Sequence, residues 1–247
     1  MNYFNNVYEW LTDAAHWNGA EGVPHRFIQH IQICAISLLV ALVIAVPIGV
    51  ILGHFRRGGF LAVNVSNVGR AIPALAILLI AVLVFGIADP PEYLTRIGVV
   101  SIPAFLALVL LAIPPVLTNS YVGVSEVDAD VRDAARGMGM NGRQMVRSVE
   151  LPLASPLILA GIRSSAVAVV ATATLLAYVG GGGLGRFIID GSRISYDDPR
   201  VFVGALFVAL LSVAVELVLG LIERVTVPRA LRTRDAFVPD DTARAAA

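Results

Sequence analysis

Five apolar runs, at about 28–53, 63–86, 97–117, 153–178 and 202–222, are each long enough to cross a lipid bilayer. A helix rising about 1.5 Å per residue spans the roughly 30 Å hydrocarbon core in about 20 residues. Composition agrees, with 57% apolar residues, 15% charged residues and a mean hydropathy of +0.80. In lipid every backbone polar group must be paired within the protein, so the runs are read as helices. The expected fold class is an all-α polytopic membrane protein with about five transmembrane helices. Pro47, Pro73, Pro103, Pro114 and Pro156 fall within or at the edges of these runs. Neighbouring helices in a bundle can satisfy the backbone groups that proline frees.

All eighteen basic residues are arginine, and their placement sets the orientation. The segments 54–62, 118–152 and 223–247 hold Arg56, Arg57, Arg132, Arg136, Arg143, Arg147, Arg224, Arg229, Arg232, Arg234 and Arg244. The opposite side holds only Arg26, Arg96, Arg186, Arg193 and Arg200. This bias places the N-terminus outside and the C-terminus in the cytoplasm. Residues 1–27 read as an external, partly amphipathic segment, with no early basic region of a signal peptide. Residues 226–247 read as a cytoplasmic tail, polar and expected to be disordered.

The segment 125–152 is then a cytoplasmic loop, and its local signals are specific. Asp128 and Asp130 stand where a helix N-terminus favours acids. Helix formers run from Ala129 to Arg136, and Gly137 and Gly139 are candidates to end them. Asn141 followed by Gln144 predicts a capping box on a second short helix, and Leu151-Pro152 then opens the next span. Ala134 and Ala135 permit a partner surface to approach closely, and Met138, Met140 and Met145 suit an irregular groove. A solvated loop whose arginines face anionic headgroups is the plainer alternative.

The spacing of Asp133-Ala134-Ala135, Gly139 and Val149-x-Leu151-Pro152 resembles the coupling loop of ATP-binding-cassette importer permeases. That signature reads Glu-Ala-Ala-x3-Gly-x9-Ile-x-Leu-Pro, with Asp133 and Val149 as conservative departures. Ala45–Gly59, Asn67–Leu78, Val149–Ser165 and Thr172–Gly185 resemble the osmoprotectant branch, which imports glycine betaine, carnitine and choline. The resemblance covers roughly residues 30 to 225. It implies a type I permease domain over 28–225, with Asp133, Ala134, Ala135, Gly137, Gly139, Leu151 and Pro152 contacting an ATPase. It implies three kinds of partner besides the bilayer: a cytoplasmic ATPase dimer, a second permease subunit in a homo- or heterodimer, and an external solute-binding protein. The chain itself would then carry no catalysis.

Other chemistry finds little support in the sequence. Gly180–Gly183 lacks the Gly-Lys-Ser/Thr of a phosphate loop and reads as a flexible outer turn. His16, His25, His30 and His54 show no metal-ligand spacing, no cofactor is expected, and no basic patch with aromatics suggests nucleic acid. Cys34 reads as a small buried hydrophobe. Arg70, Arg163 and Glu216 lie within apolar runs, where an ionisable side chain faces the bundle interior or water and has a partner. Depth matching suggests an Arg163–Glu216 pair inside the bundle, forming a gate or setting helix packing, with Arg70 left to line the pathway. Snorkelling to headgroups is the bland reading. The rival functions are an amino-acid permease of the methionine type and an ion-coupled secondary transporter. The second ordinarily needs repeat symmetry and midplane carboxylates, for which Glu216 alone is available.

Overall fold

A computed structural model describes residues 3–60, 64, 69, 71–86, 92–99, 101–195 and 197–228. Within them lie ten α-helices and no strands. α1 (Tyr3–Thr12) and a 3₁₀ turn (Ala14–Trp17) precede α2 (Val23–His54), then come α3 (Ala74–Phe85), α4 (Glu92–Arg96) and α5 (Ile102–Ser125). α6 (Ala129–Gly137) and α7 (Gly142–Met145) lead through a π-turn (Val146–Glu150) into α8 (Leu151–Ala173). A 3₁₀ turn (Thr174–Val179), α9 (Gly185–Asp190), a π-turn (Gly191–Ser195) and α10 (Asp198–Thr226) complete the order.

Four described helices are long and apolar enough to cross a membrane: Val23–His54, Ile102–Ser125, Gly142–Val179 and Asp198–Thr226. The expected second span, 63–86, is not one continuous helix. The backbone bends at Ile72 and Pro73, and α3 starts afresh at Ala74 with only 12 residues. Proline lacks an N–H and disfavours the helical region for the residue before it, which accounts for a break there. Span three also shifts, from the expected 97–117 to Ile102–Ser125. Gly98 turns at φ +86° and Ser101 caps Ala104 N, which delays the start. Its polar end, Thr118-Asn119-Ser120, stays helical because α5 is the central helix of the bundle.

α5 packs against α2, α3 and α8, and small residues set the separations. A Cβ on Gly49 or Gly53 of α2 would lie 2.6 Å from the Ser120 or 2.8 Å from the Val124 side chain. On α8, a Cβ at Gly161 would lie 2.6 Å from Asn119. Ser165 Oγ donates to the Ala112 carbonyl, 2.7 Å, fixing the α5–α8 register. Pro47, Pro114 and Pro156 sit inside α2, α5 and α8, as the bundle permits.

The N-terminal segment is folded against the bundle. Trp10, 6% exposed, stacks on His16 at 4.1 Å and meets Phe187 of α9 edge-on at 5.8 Å. The glycine run is likewise packed and not a loose outer turn. Gly182 N donates to Gly98 O, 2.7 Å, and Gly183 N donates to Gln29 Oε1, 3.2 Å. Fully buried His30 accepts from Leu184 N at Nδ1, 3.3 Å. That contact leaves the proton on Nε2, which donates to Val170 O at 3.0 Å. A Cβ on Gly182 or Gly183 would collide with these two side chains, so the run is glycine for proximity.

Candidate functional site

The helix caps predicted within the 125–152 loop are present. Asp128 caps α6 by accepting from Asp130 N at 2.8 Å. The helix ends in a Schellman motif: Met140 N donates to Ala135 O, Gly139 N to Arg136 O, and Gly139 stands at φ +83°. Of the two glycine candidates, Gly139 is the left-handed one. Gly137 closes the last turn, with open space where a Cβ would be. The capping box on α7 is formed, with Asn141 N to Gln144 Oε1 at 2.9 Å and Gln144 N to Asn141 Oδ1 at 3.0 Å.

The structure differs from expectation after Met145. No break separates α7 from the next span, because the π-turn carries the helix onward and Leu151 N bonds back to Val146 O. A five-residue hydrogen-bond step admits one extra residue and relieves the clash that Pro152 would cause in a regular turn.

α6 has two faces. Arg132 and Ala135, 4% and 2% exposed, turn towards the body of the protein. Ala135 therefore packs inside the chain, and only Ala134 of the pair is open to a partner. Met145 is buried as well, at 2%. Facing outward on successive turns of α6 and its cap are Val131, Ala134 and Met138. Val131 is 43% and Met138 71% exposed, so this polar helix carries a short apolar strip into solvent. Asp133 is also exposed and pairs with Arg136 on its own helix at 3.0 Å. Such an exposed pair contributes about 0.3–0.5 kcal/mol and is easily exchanged for another partner.

The inward face of α6 is held by a cluster that sequence reasoning missed. Glu150, fully buried, places Oε2 2.7 Å from His54 Nδ1 and Oε1 3.1 Å from Arg132 NH2. Arg132 NH2 also donates to the His54 carbonyl, 2.9 Å, and Arg56 donates to Val127 O at 2.9 Å. One carboxylate thus ties together the end of α2, helix α6 and the mouth of α8. Glu150 sits at the unspecified position of Val149-x-Leu151-Pro152, and His54 has no partner close to it in sequence. A lone acid at the mouth of an apolar run was the available signal.

The charges within the spans are arranged differently from the expected pair. Arg163 Nε lies 3.2 Å from Glu216 Oε1, and Arg163 NH1 lies 2.8 Å from Glu223 Oε2. The ion pair is present, but it is a triad, and it is not inside this bundle: the three side chains are 35%, 47% and 26% exposed. Glu223 is not among the expected residues because it falls just beyond the apolar run ending near 222. Arg70 lies outside the described residues. Among the described residues no three His, Cys, Asp or Glu side chains are grouped to hold a metal ion.

Residues 45–227 match the family model described as "Binding-protein-dependent transport system inner membrane component". The chain belongs to this family. It is similar to the choline transport system permease protein OpuBB of Bacillus subtilis, 33% identical over 87% of this chain and 93% of that one. It is also 36% identical to the carnitine transport permease protein OpuCB of Listeria monocytogenes, covering 83% of this chain and 88% of that one. Among solved structures, an inward-facing form of the MetNI methionine ABC transporter superposes with a TM-score of 0.67. That match covers 81% of this chain and 94% of that one at 21% identity, so it speaks for the fold alone. The fold is therefore that of an ABC importer permease, and as a member of this family the chain is a multi-pass inner-membrane transport component.

Proposed function

We propose that the chain is the permease subunit of an ATP-driven importer for a compatible solute such as glycine betaine, choline or carnitine. The observation carrying this reading is the outward strip Val131–Ala134–Met138 on a helix pinned from behind by Arg132, Glu150 and His54. A helix fixed at its inner face and apolar at its outer one suits a lever gripped by a separate cytoplasmic ATPase dimer. A second permease subunit and an external solute-binding protein complete the assembly. ATP closes the ATPases, α6 and α7 follow as a unit, and the paired permeases open outward to take the solute. The solute class follows from the named functions of relatives matched over most of both chains. The methionine reading has only a fold-level likeness behind it.

Orientation is part of the proposal. A cysteine at Asn18 is expected to react with an impermeant maleimide in intact cells, whereas one at Asn141 reacts only after lysis. External labelling at Asn141 contradicts the reading, because α6 could not then meet a cytoplasmic ATPase. Co-purification is the direct test of the lever. The ATPase should be retained by wild-type permease and lost on Ala134→Trp.

The Arg163–Glu216–Glu223 triad is proposed as a latch between α8 and α10 that resets on each cycle. Since all three groups are partly hydrated, each pair should contribute only about 0.5–1 kcal/mol. A double-mutant cycle on thermal stability with Arg163→Met and Glu216→Gln is expected to show coupling of that size. Strict additivity in both stability and uptake would remove the latch.

A further inference from the structure

The triad borders a cavity of about 480 Å³ lined by Arg163, Glu216, Leu217, Gly220, Glu223 and Arg224. Glu216 and Glu223 stand two helical turns apart on one face of α10, and the single Arg163 guanidinium bridges both. Two carboxylates thus share Arg163 within the triad, and Arg224 brings the cavity lining to two acids and two arginines. Each carboxylate has one oxygen engaged by Arg163, and Glu216 remains 47% exposed. Glu223 is about one turn and Glu216 about three turns from the C-terminal end of α10.

A half-exposed charge cluster at this depth cannot face hydrocarbon, where ionisable groups turn to the bundle interior or a water-filled cavity. The cavity therefore holds water, and it lies on the exposed side of α10, where Leu217 is 67% exposed. We infer that it is a weak exit-side subsite for the quaternary ammonium group of the transported solute. This inference rests on the proposed function and adds a solute contact on the permease itself. Glu216 supplies the charge that the cation meets, while Leu217 and the Gly220 backbone leave an apolar wall and room for N-methyl groups. The described residues that line the cavity include no aromatic side chain, so the strong cation–π grip of a binding protein is missing. Weak binding suits a transit site, which must release what it receives. An ammonium group at Glu216 also competes with Arg163 for the same carboxylate, so an arriving solute loosens the contact that joins α8 to α10.

The test uses the full-length permease in lipid nanodiscs, without ATPase or binding protein. Saturation-transfer NMR is recorded with choline and with 3,3-dimethylbutan-1-ol, its uncharged carbon isostere. Choline should show transfer to its N-methyl protons, and the isostere at least about fivefold less, as loss of one half-hydrated charge contact implies. Glu216→Gln should reduce the choline signal by a similar factor, and Glu216→Asp should restore part of it. Equal signals from choline and its isostere on wild-type protein would overturn the subsite, as would a choline signal unchanged by Glu216→Gln. The isostere comparison needs no variant, so a misfolded mutant cannot leave the question open. Solute uptake by the complete transporter is measured in parallel. Uptake of choline or betaine without NMR contact defeats this inference alone, whereas absence of any such uptake defeats the proposed function beneath it.

Discussion

Glu150→Ala is expected to destabilise the permease by about 3–5 kcal/mol, more than loss of any exposed ion pair in the chain. The carboxylate is fully buried, and Arg132 is 5% exposed at its side chain, so water cannot replace the lost partner. Removing Glu150 strands the Arg132 guanidinium and leaves His54 Nδ1 unpaired in a low-dielectric site. Because Glu150 also anchors α6, the variant should lose ATPase association beyond what the lowered stability explains. Glu150→Gln keeps the shape and some hydrogen bonding and should fall between wild type and alanine. Replacing both charges, Arg132→Met with Glu150→Met, should destabilise less than the two single changes summed, because neither charge is left alone. Thermal unfolding followed by size-exclusion fluorescence measures this. A Glu150→Ala transition within a degree of wild type would show that the cluster does not hold α6.

Gly139→Pro should reduce uptake to background with the protein still inserted in the membrane. Gly139 is at φ +83°, and proline is confined near φ −65°, so the Schellman motif cannot form around it. Nothing lies within 4 Å of a Cβ built at Gly139, so the requirement is conformational and not one of space. Gly139→Ala should accordingly be milder, reflecting a left-handed strain of about 1–2 kcal/mol. Ala134→Trp should also abolish uptake, through its bulk on the outward strip, while thermal stability stays near wild type. Ala135→Trp is expected to behave otherwise. Its position is 2% exposed against the protein's own body, so it should lower stability as well as transport. Equal stability of the Ala134→Trp and Ala135→Trp proteins would contradict the assignment of the two faces of α6.

The caps of the 125–152 loop were legible because their signals are local. Asp128, Gly139 and the Asn141–Gln144 box act within a few residues of themselves, so their geometry depends little on distant packing. Span boundaries were less so. Thr118, Asn119 and Ser120 look like the end of an apolar run, yet α5 continues through them because three neighbouring helices enclose it. The break at Pro73 needed a choice between a kinked and an interrupted helix, which depends on what packs around it. The Arg163–Glu216 pair followed from rise per residue alone, whereas Glu223 and the Glu150 cluster did not. His54, Arg132 and Glu150 lie far apart in sequence, and only the fold brings them together. In the same way, nothing in Asp133-Ala134-Ala135 tells which alanine faces out, since that depends on where α6 is pinned.

Reconstituted uptake tests the central claim most directly. Proteoliposomes carrying this permease with its ATPase, and its second permease subunit if that is a different chain, are given labelled glycine betaine or choline and the external binding protein. Uptake is predicted to require enclosed ATP and the binding protein together, and to fail with the Gly139→Pro permease. Solute accumulation driven by a Na⁺ or H⁺ gradient without ATP would contradict the account and return the chain to the class of secondary transporters.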